Sequence, residues 1–167
     1  MRKQLGFVGL GKMGRLMVQT LRHKGWKVLG FDLREKGDVK NIQEMMERLA
    51  YPRVVWLMVP SGKPVDDVLK GMRKFLQRGD VIIDGGNSFY RDSQRRAKTL
   101  SHSGIAFLDA GVSGGLEGAK KGACVMVGGE RRTFKKMEPL FRDLAAKDSF
   151  QYVGSSGAGH FVQQLRL

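Results

Sequence analysis

The sequence predicts an α/β fold: a doubly wound, mainly parallel sheet with helices on both faces. Short apolar runs alternate with helical stripes from one end of the chain to the other. One run, RVVWLMVP, is apolar almost throughout, as a strand buried on both faces must be. The hexapeptide GLGKMG places Gly9, Gly11 and Gly14 between a first strand and a first helix, the context in which a glycine loop binds a dinucleotide.

The elements follow in order. LGFVGL reads as the first strand. Met13, Met17, Val18 and Leu21 then share one helical face, which Gly25 ends. KVLGFD is the second strand, and Ile42, Met45, Met46 and Leu49 mark a short helix. After the apolar strand, Val65, Val68, Leu69, Met72, Phe75 and Leu76 form the clearest helical stripe. VIID is the next strand, and a basic helix runs from about Tyr90 to His102. IAFLD leads into a glycine-rich loop, AGVSGGLEGAKKG. ACVMVGG is a strand, and Phe134, Met137, Leu140, Phe141 and Leu144 stripe the helix after it. FQYVG is a last short strand before GSSGAGHFVQQLRL, a glycine turn that opens one more helix. Strands separated by helices pair in parallel, because the crossover returns the chain to the same end of the sheet. Nothing in the composition divides the chain, so residues 1–167 read as one domain.

The chain carries a net charge of +14, from 30 basic and 16 acidic residues. Such a field draws anions: phosphorylated metabolites, dinucleotides or nucleic acid. The basic residues are scattered, and aromatic residues are not interleaved with them as a base-stacking surface requires. They read as solvated helix faces, so nucleic acid is not the expected partner. No apolar run reaches the length of a membrane span, and no membrane partner is expected. The basic start and the short glycine-broken run after it read as a strand and not a targeting segment. Cys124 is the single cysteine, which excludes an intrachain disulfide and agrees with a cytoplasmic location.

Gly9, Leu10, Gly11, Lys12, Met13 and Gly14 make up the candidate cofactor loop. Gly9 permits the tight turn, Gly11 lets the backbone approach a pyrophosphate, and Gly14 lets helix and strand pack closely. The positive helix end then faces the phosphates. This is the loop of a Rossmann-type domain. Asp32 closes the second strand where a carboxylate accepts hydrogen bonds from the adenosine ribose and repels a 2′-phosphate. Arg34, two residues on, can attract that phosphate. NAD is the favoured cofactor, with NADP the alternative.

Three further stretches narrow the class: WLMVPSG at 56–62, IIDGGNSFYRD at 82–92 and GVSGGLEGA at 111–119. Together with GLGKMG and GAGHFV, the chain resembles the β-hydroxyacid dehydrogenases, and DGGNS resembles the 6-phosphogluconate dehydrogenases in particular. The resemblance implies an enzyme that oxidises 6-phosphogluconate with NAD(P) and decarboxylates it to ribulose 5-phosphate. It implies that Val59 and Pro60 border the nicotinamide and that Asn87 lies between cofactor and substrate. Ser113, Gly114, Gly115 and His160 would bind the sugar acid. Each residue also has a plainer reading: Asn87 and Ser88 can cap the helix that follows, Ser113 can be a turn residue, His160 can be a hydrogen bonder at a helix start, and Asp84 orders its own turn.

Two departures from the family pattern stand out. The family's lysine, general base and then acid, falls on Gln163, an amide that takes no proton at neutral pH. Its following His and Asn fall on Arg166 and Leu167. The family's helical domain is not expected in this chain, which is therefore expected to bind cofactor without turnover. Phe161, Val162 and Leu165 would be exposed on the last helix and available for self-association. The second departure is the short segment 33–51, with room for one helix, so an edge strand after the second strand is expected to be missing or reduced. Two alternatives stay open: a dehydrogenase for a smaller acid, such as a 3-hydroxyisobutyrate type, and a non-enzymatic nucleotide-binding module.

Overall fold

The computed structural model describes residues 1–165. The chain runs β1 (Gln4–Val8), α1 (Lys12–His23), β2 (Lys27–Phe31), α2 (Ile42–Arg48), β3 (Val54–Leu57), α3 (Lys63–Met72) and β4 (Val81–Asp84). It continues with α4 (Tyr90–Ser101), β5 (Ala106–Ser113), α5 (Gly115–Lys121), β6 (Ala123–Gly128), α6 (Arg131–Leu144), β7 (Ala145–Gly154) and α7 (Ala158–Gln164). The seven strands form one sheet in the order β2-β1-β3-β4-β5-β6-β7. Every pairing is parallel except that of β5 with β6. The chain steps outward from β1 to β2, then crosses to the other side of β1 to begin β3. That reversal opens a crevice above the ends of β1 and β3, the place where ligands bind in open sheets of this kind.

Helices cover both faces, so the central strands are buried twice. On β3, Val54 and Trp56 point into one core cluster and Val55 and Leu57 into the other. Trp56 stacks on Phe7 with ring centroids 6.3 Å apart and meets Phe141 edge-on at 6.2 Å, which ties α6 to the sheet. The second cluster sets Met45 and Met46 of α2 and Val65 and Met72 of α3 against Leu29, Leu57 and Ile82.

The outer strand is β2, and no strand forms among residues 33–41, as the short segment led us to expect. One aspartate takes the place of the missing strand. Asp38 donates its N–H to Gly30 O at 2.8 Å and accepts the Gly30 N–H on Oδ2 at 2.8 Å. The exposed edge is thereby satisfied at Gly30 without a further strand.

Three boundaries differ from the sequence reading. The expected loop 110–122 is not a loop: β5 continues to Ser113, and α5 follows after Gly114. Antiparallel pairing supplies the reason, because Asp109 to Ser113 align with Gly128 back to Cys124. The last strand is longer than FQYVG, since β7 begins at Ala145. Phe75 and Leu76 lie past the end of α3, although both still pack against the second cluster. Cys124 is half-buried on β6.

Candidate functional site

The loop after β1 is held by backbone and leaves no room for a side chain at Gly9 or Gly14. Gly9 donates its N–H to Phe31 O at 2.9 Å, and Met58 donates to Val8 O at 2.7 Å. Gly9 has φ +106°, and a Cβ there would overlap Met58 O. A Cβ on Gly14 would overlap Gly9 O, so the first turn of α1 lies directly on the loop. Gly11 differs from both. It has no heavy atom within 4 Å of where its Cβ would be, and it caps α1 without any side-chain hydrogen bond. The first turn of α1 also holds no acidic residue. A helix end that is uncapped, uncompensated and open is what a pyrophosphate requires.

A crevice of about 1600 Å³ opens over this loop. Gly9, Gly11, Lys12, Met13 and Gly14 line it, with Asp32 and Arg34 on the β2 side and Val59, Pro60, Gly86 and Asn87 toward the middle of the sheet. Leu10 is buried beneath it and packs in the core. Gly115 and Val112 close the far end. Most of the residues singled out for the cofactor therefore share one cavity. Ser113 and Gly114 adjoin it: Gly114, at φ +117°, is the turn from β5 into α5.

Asp32 has a second occupation beside the one expected. Its Oδ2 accepts the Leu10 N–H at 2.7 Å, and its Oδ1 accepts the N–H groups of Arg34 at 2.7 Å and Glu35 at 3.0 Å. Burial pushes the carboxyl up, but the N–H groups of Arg34, Leu10 and Glu35, with the Arg34 charge, outweigh it and hold the pKa below its ordinary value. The carboxylate thus ties the glycine loop to the segment after β2 and keeps part of its acceptor capacity for a ribose. A depressed carboxyl stabilises above its unfolded value near pH 4 and loses that contribution as pH falls through the lowered value. Dinucleotide binding should therefore weaken in acid below about pH 4, and Asp32→Asn should weaken it at neutral pH and flatten that acid limb, as fluorescence titration across pH would show.

The β3 and β4 ends are organised from below. Asp84 is fully buried; its Oδ1 accepts the Gly86 N–H at 3.0 Å and its Oδ2 the Ser88 hydroxyl at 2.6 Å. It orders the turn that presents Asn87, and neither Asn87 nor Ser88 caps α4, whose N-cap is Phe89. Behind the turn lies Arg96, 2% exposed. Its Nε donates to Asp66 Oδ1 at 2.9 Å, one Nη donates to Gly62 O at 3.1 Å, and the other sits 3.7 Å from Asp84 Oδ2. One guanidinium so joins the loop after β3 to the turn after β4.

His160, expected to bind the sugar acid, is fully buried instead. Its Nδ1 pairs with Ser93 Oγ at 2.7 Å, and its backbone N–H donates to Asp109 Oδ2 at 2.9 Å. Asp109 also accepts the Gly157 N–H on Oδ1 at 2.7 Å, so this carboxylate holds the start of α7. The plainer reading of His160, a hydrogen bonder at a helix start, is what the geometry supports. Gln163 does reach the site: its Nε2 lies 2.9 Å from Asn87 Oδ1 and 3.0 Å from Val112 O. Phe161 and Leu165 are exposed as expected, and Val162 is half-buried. The positions Arg166 and Leu167 lie outside the described residues.

Asp109, Arg96 and Asp66 are the residues that the sequence reading missed. Asp109 closes the predicted strand IAFLD, and an acidic residue at a buried strand end was the available signal. Replacing Asp109 by alanine should cost about 1–3 kcal/mol for each of the two N–H groups left without an acceptor. Urea unfolding would measure the loss, and hydrogen exchange at Gly157 and His160 should quicken.

A crevice built in this way belongs to the dinucleotide-binding domains of dehydrogenases. Comparison with known proteins narrows that class. A sequence model described as the NAD binding domain of 6-phosphogluconate dehydrogenase matches residues 4–154, and the chain belongs to that family. It is 40% identical over 172 residues to the protein YqeC of Bacillus subtilis, covering 97% of this chain and 58% of that one. It is 35% identical over 183 residues to the decarboxylating 6-phosphogluconate dehydrogenase of Escherichia coli, covering 98% of this chain and 39% of the enzyme. The chain thus spans only part of the length of the relatives it matches. Among solved structures, a 3-hydroxyisobutyrate dehydrogenase of Mycobacterium tuberculosis with L-serine superposes with a TM-score of 0.88 at 27% identity, over 99% of this chain and 59% of that one. Among the described residues no helix is long and apolar enough to cross a membrane.

Proposed function

We propose that this chain is a cofactor domain of 6-phosphogluconate dehydrogenase type that holds NAD in the crevice and, by itself, does not turn over. The observation that carries the reading is the open cradle at Gly11, where an uncapped helix end faces a cavity wide enough for a dinucleotide. The pyrophosphate would lie on the N–H groups at the start of α1. The adenosine ribose would meet Asp32, and the ring beyond it would lie near Arg34. Val59 and Pro60 would border the nicotinamide, with Asn87 between cofactor and sugar acid. NAD, when bound, supplies the hydride acceptor. The fixed carboxylate of Asp32 disfavours a 2′-phosphate, which is why NAD is preferred to NADP.

The chain's own residues position the reacting molecules without moving a proton. Gln163 stands where the family's lysine is expected, and an amide neither takes nor gives a proton at neutral pH. Cofactor affinity without turnover follows. In this reading Ser113, Gly114 and Gly115 border a phosphorylated sugar acid, the chain is a single domain, and the protein is cytoplasmic. Exposed Phe161 and Leu165 offer a surface for self-association.

A second reading has support of its own. The high superposition with a 3-hydroxyisobutyrate dehydrogenase favours a domain for a smaller, unphosphorylated acid. Calorimetric titration separates the possibilities. NAD should bind more tightly than NADP, and 6-phosphogluconate with bound NAD should give no NADH absorbance. No heat with either dinucleotide at millimolar concentration would overturn the reading. Preference for 3-hydroxyisobutyrate over 6-phosphogluconate as second ligand would move it to the smaller acid.

A further inference from the structure

We propose that Gln163 is an amide lock on Asn87, which turns the Asn87 amide hydrogens into the crevice and makes that position a reader of oxygen acceptors, a carboxylate or carbonyl of the second ligand. The inference rests on the dinucleotide reading above and goes further by assigning an atom to each role.

The hydrogen-bond network fixes both amide orientations. Val112 O is a backbone carbonyl and can only accept. The Gln163 atom 3.0 Å from it is therefore the nitrogen. That same nitrogen lies 2.9 Å from the Asn87 side chain, so the Asn87 atom facing it must be the oxygen. Both Nε2 hydrogens of Gln163 are used. The Asn87 Nδ2, with its two hydrogens, is the other arm of that planar amide, and Asn87 is an exposed residue lining the crevice.

The lock is rigidly mounted. A Cβ on Gly111 would come within 2.8 Å of Gln163 Cβ and 2.7 Å of Gly159 O, so α7 lies hard against β5 just where Gln163 leaves it. Asp109 holds the first turn of α7 through Gly157 and His160. The next residue, Gln164, donates to Ser88 O at 3.3 Å. Two consecutive side chains of α7 thus clasp the 87–88 turn, Gln163 at the Asn87 side chain and Gln164 at the Ser88 backbone carbonyl. An amide at position 163 cannot serve as a base, but its donor end can decide which atom Asn87 shows to a ligand.

Three variants separate donor from acceptor at this position. Gln163→Met removes both hydrogen bonds at similar length. Gln163→Glu offers only acceptors and should reverse the Asn87 amide. Gln163→Lys offers only donors and should preserve it. NAD affinity is titrated first on every protein, so that failure of the dinucleotide reading shows itself separately. The Asn87 side-chain amide is then followed by ¹⁵N NMR while 6-phosphogluconate is added to the NAD-saturated protein. The proposal expects the Asn87 Nδ2 signals to move in the natural protein, the affinity to fall about tenfold or more in Gln163→Met and Gln163→Glu, and Gln163→Lys to restore it; tenfold corresponds to about 1.4 kcal/mol, the scale of one hydrogen bond. Unmoved Asn87 Nδ2 signals at millimolar ligand, or equal affinity in the Met, Glu and Lys variants, would overturn it.

Discussion

Gly11→Ala leaves the fold standing and weakens dinucleotide binding. The two effects separate because Gly11 stands in open space with ordinary backbone: φ is −66°, and no atom lies within 4 Å of its missing Cβ. Alanine at this N-cap costs under about 1 kcal/mol of stability. Its methyl group, however, fills the cradle that a pyrophosphate needs to reach the α1 N–H groups. NAD affinity should fall by more than about tenfold, or about 1.4 kcal/mol, with the unfolding midpoint almost unchanged. Gly9→Ala provides the contrast. The forced φ of +106° costs about 1–3 kcal/mol, and the overlap with Met58 O adds about 1–3 kcal/mol of overpacking. That variant should lose stability and binding together. If Gly11→Ala binds NAD as the natural chain does, the cradle is not where the phosphates sit.

Arg96→Met should be among the most damaging single changes in the domain, at about 3–5 kcal/mol. The magnitude comes from what is left behind. Asp84 is 0% exposed and keeps the Gly86 and Ser88 hydrogen bonds but loses the guanidinium 3.7 Å from its Oδ2. Gly62 O loses this donor as well, and Asp66 loses its Arg96 bond while keeping those from Arg95. Lysine at this position keeps the charge but not the fork that reaches Asp66 and Gly62 together, so Arg96→Lys should fall between the two. The Asp66 carboxyl supplies a pH signature. The Arg96 hydrogen bond lowers its pKa most; burial raises it, and Arg95 lowers it further. A lowered carboxyl stabilises above its unfolded value near pH 4, and the contribution disappears as pH falls through the lowered value. Arg96→Met should lose that part of the acid sensitivity. Urea unfolding at pH 7 and in acid would show both effects, and a loss below about 1 kcal/mol at pH 7 would contradict a buried charge network.

Much of the fold was legible because burial on two faces writes a continuous apolar run, and burial on one face of a helix writes a stripe. RVVWLMVP and the Met17–Val18–Leu21 face both became what their periods predict. The cofactor loop was legible for a different reason: Gly9 and Gly14 sit where any Cβ meets backbone, so the sequence has no freedom there. The boundaries that failed depend on partners far along the chain. Residues 110–113 open the glycine-rich stretch 110–122, and only pairing with 124–127 makes them strand. His160 shows the same limit at the site. Its position after GAG was readable, but its burial against Ser93, 67 residues away, was not. Arg96 looked like one of many basic helix residues, and nothing local marks it as the one turned inward.

In the proposed complex NAD lies across the ends of β1 and β3. Amide NMR of the ¹⁵N-labelled chain, titrated with NAD, tests it most directly. Saturable shifts are expected at Gly9 to Gly14, at Asp32 to Glu35, and at Val59 and Asn87, with the hollow beside Arg78 and Arg132 at the opposite end of the sheet unmoved. Shifts confined to that opposite hollow, or none at millimolar NAD, would contradict it.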